Sequence, residues 1–180
     1  VFLDLKFHDI PHTVARTVVA AARLGIGMLT IHLSGGAAMA RRAADELEAH
    51  CQVHRIPRPK ILGVTVLTSL SQSDLEAIGV TRSVEDQVAA LAGMAKAAGL
   101  DGVVCSPLEV RRVRETCAEF LIVTPGVRPE GSDPDDQART LTPRSAIQAG
   151  ADYVVVGRPI IKATDPLAAA ETILLEMDGR

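Results

Sequence analysis

Three charged residues near the start of the chain stand at a spacing suited to acid–base and charge-stabilising chemistry. They are Asp4, Lys6 and Asp9, in the run Asp4-Leu5-Lys6-Phe7-His8-Asp9-Ile10-Pro11-His12-Thr13. Asp4 and Lys6 are two apart, so on a strand both project to one face. Pro11 opens a helix directly afterwards, which puts the pair at the strand's C-terminal end. The apolar residues Val1, Phe2 and Leu3 lead into the charges, and a charged pair on the inward face of a buried parallel strand is costly unless it works. The plain alternative is a solvent-exposed ion pair at a strand end.

A second constellation could hold an anion. The segment Thr124-Pro125-Gly126-Val127-Arg128 sets a glycine two residues ahead of an arginine, and the later Val155-Val156-Gly157-Arg158-Pro159 sets one directly before an arginine. Backbone N–H groups of a glycine-containing turn at a helix start bind phosphate, and a guanidinium adds a bidentate, permanently charged fork. Between the two groups lie Thr65 and Thr68, polar residues around the end of the apolar run Val64-Thr65-Val66-Leu67. Ser106 reads as a helix cap and His32 as a structural histidine at a strand end. The remaining histidines, His8, His12, His50 and His54, show no metal-ligand spacing.

The elements that position these residues follow from short β-branched runs, each trailed by a helical pattern. Strand candidates cover 1–5, 28–32, 61–67, 102–105, 120–123 and 153–156. They are continuously apolar, as expected of parallel strands covered on both faces. Helix starts are signed by Ser71-x-x-Asp74, Ser83-x-x-Asp86 and Ser106-Pro107-x-Glu109, and by proline after Thr142 and Asp165. Gly25, Gly99 and Gly150 sit where helices should stop. Gly99-Leu100-Asp101-Gly102 and Gly150-Ala151-Asp152-Tyr153 form a weak internal repeat. Alternating βα units predict a parallel sheet. Six strands, counted alone, favour a doubly wound sheet over a closed eight-stranded barrel. The longest irregular stretch, 124–141, has the length of a functional loop.

Composition narrows the function classes. The chain has 180 residues, 47% hydrophobic and 23% charged, and reads as one domain over 1–180. A formal charge of −3 without a basic block, and 2% aromatic residues with no Trp, argue against a nucleic-acid partner. Cys51, Cys105 and Cys117 are too few and too irregularly spaced for a disulfide framework or zinc motif. No stretch approaches the roughly 20 apolar residues of a membrane span and no signal peptide opens the chain, so no membrane partner and a cytoplasmic setting are expected. The start at Val1, inside an apolar run, reads as a start in mid-element.

Asp-x-Lys-x-x-Asp-Ile-Pro-x-Thr, as it stands at residues 4–13, resembles the signature of the orotidine 5′-phosphate decarboxylases, where it closes the third strand of a (β/α)8 barrel. The Thr124–Gly131 segment is similar to that family's loop after strand seven, and Val155–Pro159 to its phosphate grip after strand eight. The resemblance outweighs the strand count. It implies a TIM-type α/β barrel lacking roughly the first two βα units, and cofactor-free, metal-free decarboxylation of orotidine 5′-phosphate to UMP. It implies that Asp4 faces the substrate carboxylate and Lys6 gives the proton to C6. Asp9, with Ile10 and Thr13, would reach across a homodimer interface, and Thr65 and Thr68 would face the pyrimidine. Pro125, Gly126, Arg128, Gly157 and Arg158 would fold over the phosphate. The family's first array lysine and a ribose-binding aspartate belong to strands ahead of Val1. Glu130 departs from the pattern, since an ionised carboxylate cannot donate to phosphate. Two rival readings stand beside this one. One is a Mg²⁺-dependent sugar-phosphate decarboxylase or hexulose-phosphate synthase of the same barrel type; the other is an inactive fragment.

Overall fold

A computed structural model of the chain describes residues 1–129 and 141–178. In order these form β1 (Phe2–Phe7), α1 (Pro11–Ala22), β2 (Met28–His32), α2 (Ala37–His54), β3 (Lys60–Val64), α3 (Gln72–Ala77) and α4 (Val84–Ala97). Then come β4 (Gly102–Val104), α5 (Val110–Thr116), β5 (Leu121–Thr124), α6 (Pro143–Ala149), β6 (Tyr153–Val154), α7 (Arg158–Ile161) and α8 (Pro166–Met177). All six expected strands are present. The third and sixth end earlier than the apolar runs suggest, at Val64 and Val154. Val66, Leu67 and Val155 are apolar because they line a cavity beyond the strand ends.

Strand order settles the architecture. The sheet runs β1-β2-β3-β4-β5-β6, every neighbour parallel and consecutive. A doubly wound sheet reverses its order part-way and carries helices on both faces. Here the helices share one face. Val14, Val18, Met39, Leu47, Val88 and Val110 pack with the strand residues Leu29, Ile31, Ile61, Val103 and Ile122 in one core. The opposite face holds a separate cluster of Leu62, Val64, Val104 and Val123, flanked by Phe2, Met28, Leu121 and Val155. Its members come only from strands and one strand end, which makes it the interior of a barrel arc. The alternation along β1 and β2 therefore assigns Phe2 and Asp4, and Met28, Thr30 and His32, to the concave side.

Local signals act as the residue types dictate. Ser71 and Asp74 form a reciprocal capping box at α3, and Ser83, Thr142 and Asp165 each accept a backbone N–H at a helix start. Ser106 caps a single 3-10 turn, Pro107–Glu109, ahead of α5. The internal repeat has a structural meaning. The Asp101 carboxylate accepts the Ile61 N–H at 2.8 Å and pairs with Arg58 at 2.6 Å. The Asp152 carboxylate accepts the Ile122 N–H at 2.7 Å and pairs with Arg114 at 2.6 Å. Each aspartate thus satisfies an orphan donor at the start of a neighbouring strand, on the end of the sheet away from Asp4 and Lys6. Gly102 follows in the first copy because a Cβ there would collide with the Leu121 carbonyl of β5.

Candidate active site

The end of β1 departs from regular strand geometry. Its pairing with β2 shifts register between Leu3 and Phe7, and Lys6 takes a left-handed backbone with φ of 50°. That conformation costs a residue with a side chain about 1–2 kcal/mol. The turn swings the Lys6 ammonium back onto Asp4, with Nζ donating to Oδ2 at 2.6 Å. The other carboxylate oxygen, Oδ1, accepts from the hydroxyl of Thr30 at 2.9 Å. Thr30 in turn accepts the Lys6 backbone N–H at 2.9 Å. The ion pair is only partly buried, its side chains 37% and 36% exposed, so in isolation it adds little to stability.

Asp4 and Lys6 line a cavity of about 260 Å³ at the C-terminal ends of the strands. Phe2, Val64, Val104 and Val155 supply its apolar wall, and Thr68 and Pro125 its rim. A second cavity of about 270 Å³ is lined by Gly126, Arg128, Gly157 and Arg158 and shares Pro125 and Val155 with the first. The acid–ammonium pair and the two arginines thus face adjoining spaces. Gly126 has φ of 77°, the left-handed region that a glycine enters without strain. Arg128 is 8% exposed, and its Nε has no hydrogen-bond partner among the described residues. A buried cation in that condition favours a nearby anion.

Other expected residues lie elsewhere. Thr65 is buried, and its hydroxyl donates to the Val104 carbonyl at 2.8 Å, outside the cavity lining. Asp9 accepts the Ile10 N–H at 2.7 Å, and Asp9, Ile10 and Thr13 stand exposed at the start of α1, away from the cavity of their own chain. Glu130 lies outside the described residues. Thr30 escaped the sequence reading. The signal for it was a polar residue at the centre of an apolar strand, in step with His32.

His32 adjoins the pair. Its ring stacks on His8 at 5.3 Å between centroids, and its Nδ1 lies 2.7 Å from the Ser34 hydroxyl. Burial holds its pKa below 6.5, with the His8 and Lys6 charges acting in the same direction.

The profile of the family described as "Orotidine 5'-phosphate decarboxylase / HUMPS family" matches residues 1–173. The chain belongs to this family. Among similar proteins, the orotidine 5′-phosphate decarboxylase of Moorella thermoacetica is 53% identical over 180 residues, covering 99% of this chain and 71% of its own length. That of Trichlorobacter lovleyi is 50% identical over 178 residues, with shares of 98% and 73%. The crystal structure of the orotidine 5′-phosphate decarboxylase from Lactobacillus acidophilus superimposes with a TM-score of 0.83 at 44% identity, over 98% of this chain and 75% of that one. The barrel expected from the resemblance is therefore the fold found. Residues 4–13, which resemble the orotidine 5′-phosphate decarboxylase signature, occupy β1, the turn after it and the start of α1, where barrel enzymes carry their chemistry. Among the described residues, no helix is long and apolar enough to cross a membrane.

Proposed function

We propose that this site decarboxylates orotidine 5′-phosphate to UMP. The observation that carries the reading is the Asp4–Lys6 pair facing a cavity that adjoins the Arg128/Arg158 cavity. Relatives at 50–53% identity carry the decarboxylase name, which supports it. The phosphate would occupy the arginine side, with Gly126 and Gly157 allowing close approach, and the pyrimidine would lie over Asp4 and Lys6 beside Thr68. The C6–carboxylate bond breaks, CO₂ leaves, and the electron pair stays on C6. Asp4 sets negative charge against the departing carboxylate, while the Lys6 ammonium stabilises the developing carbanion and then transfers a proton from Nζ to C6. Phosphate binding, remote from the bond broken, closes the site around the reacting carbon.

The same reading makes the enzyme a cytoplasmic homodimer without cofactor or metal. Asp9, Ile10 and Thr13 project outward together, and Ile10 is 66% exposed, as suits residues that complete a partner's site.

The test is CO₂ release from carboxyl-labelled substrate by the full-length protein. Lys6→Ala should lower turnover by about 10²–10⁴-fold or more, while UMP binding persists. EDTA should leave the parent rate unchanged, which separates this reading from a Mg²⁺-dependent sugar-phosphate enzyme. Mixing Asp9→Ala with Lys6→Ala chains should restore part of the activity. Unchanged turnover in Lys6→Ala removes the lysine from the mechanism, and failure of rescue removes the shared site.

A further inference from the structure

We infer that Thr30 is the positioning residue of the Asp4–Lys6 pair, acting through one buried hydroxyl that fixes both members at once. The consequence for catalysis rests on the decarboxylase reading; the clamp itself does not.

The hydrogen-bond directions leave a single arrangement. A backbone N–H can only donate and an ionised carboxylate can only accept. Thr30 Oγ1 therefore takes the Lys6 N–H at 2.9 Å on a lone pair and sends its one proton to Asp4 Oδ1 at 2.9 Å. Lys6 Nζ returns to Asp4 Oδ2 at 2.6 Å. The result is a closed loop from the Lys6 backbone through Thr30 and Asp4 to the Lys6 side chain. Each carboxylate oxygen has one donor, and the hydroxyl has no freedom to rotate.

The backbone explains why a hydroxyl is needed there. The β1–β2 ladder loses register between Leu3 and Phe7, and Lys6 lies inside that gap with φ of 50°. A strand N–H in a register shift lacks its usual carbonyl, and an unpaired amide is costly. Thr30 supplies the acceptor from the neighbouring strand. It has the rigidity to do so, being fully buried on β2 between Met28 and His32. A β-branched residue on a strand also holds χ1 tightly. The left-handed turn at Lys6, and with it the direction of the ammonium, is thus held by a side chain that does not line the cavity. Thr30 is absent from the linings of both cavities and bonds to Asp4 and Lys6, so its effect passes through them.

Thr30→Val preserves shape and removes the hydroxyl; Thr30→Ser keeps the hydroxyl and removes a methyl. Two readouts are taken on the full-length protein: decarboxylation kinetics, and backbone amide hydrogen exchange at Lys6. The expected result is a kcat lower by about 10–100-fold in Thr30→Val, with KM nearly unchanged and faster exchange of the Lys6 amide. Thr30→Ser should restore both. Parent-like kcat in Thr30→Val, or a loss that Thr30→Ser does not repair, overturns the inference, because packing alone would then account for the residue. If the parent protein shows no decarboxylation, the proposed function fails, and exchange decides the clamp. Unaltered protection of Lys6 in Thr30→Val would then refute it, and selective loss would sustain it.

Discussion

At the scale of single residues, the site depends on polar groups tied to the ends of strands. Lys6 combines a left-handed φ of 50° with hydrogen bonds from its backbone N–H to Thr30 and from its ammonium to Asp4. His32 sits beside this arrangement with its pKa held below the ordinary value of 6.5 by burial and by the neighbouring His8 and Lys6 charges. A histidine depressed in the folded state binds fewer protons there than in the unfolded chain, so stability rises with pH through that range. Its contribution is complete above about 6.5 and is lost as pH falls below it. Urea midpoints should therefore decline on the acid side of 6.5, and His32→Gln should flatten that part of the curve. An unchanged slope in His32→Gln would assign the acid sensitivity to other groups. Asp4 and Lys6 were legible in the sequence, because charges that follow an apolar run are conspicuous; Arg128 and Arg158 were picked out by the likeness of their loops to the family's. Thr30 was not, because threonine is common in strands for its β-branched shape, and only its pairing across β1–β2 shows that the hydroxyl matters.

At the scale of elements, the two ends of the strands have different duties. The C-terminal ends carry Asp4, Lys6, Thr68 and the glycine–arginine turns. The opposite ends carry the paired aspartates of the repeat, each joining one strand's N–H to an arginine. Replacing Asp152 by Ala leaves the Ile122 N–H and the Arg114 guanidinium without that acceptor. Loss of such a partner costs about 1–3 kcal/mol, so Asp152→Ala and Asp101→Ala should each lower Tm by several degrees. Because these residues lie away from the cavities, UMP affinity should be retained. A fall in affinity without a fall in Tm would contradict the division of labour. Helix starts were readable from Ser71, Ser83, Thr142 and Asp165, since capping chemistry is local. The ends of β3 and β6 were not, because Val66, Leu67 and Val155 are apolar for the sake of a cavity, and apolarity alone does not distinguish strand from cavity wall.

At the scale of the whole molecule, the count of six strands was compatible with two architectures, and only long-range order separates them. Consecutive parallel pairing and helices on one face make the sheet an arc of a barrel. Pairing partners depend on contacts distant in sequence, which composition and periodicity do not encode. The resemblance of residues 4–13 to a barrel family supplied what the strand count lacked. Among the described residues β1 and β6 each pair on one side only, and the chain covers 71–75% of the relatives it matches. The arc nevertheless brings the first strand and the last loops around one concavity, with Pro125 and Val155 common to both cavities. The central claim is that these two spaces form one nucleotide site, with chemistry at Asp4 and Lys6 and the phosphate at Arg128 and Arg158. A crystal structure of the full-length protein with UMP tests it most directly. The account predicts the phosphate between the two arginines and the pyrimidine C6 against Lys6 Nζ; a phosphate placed away from Arg128 and Arg158, or a pyrimidine turned from Lys6, would contradict it.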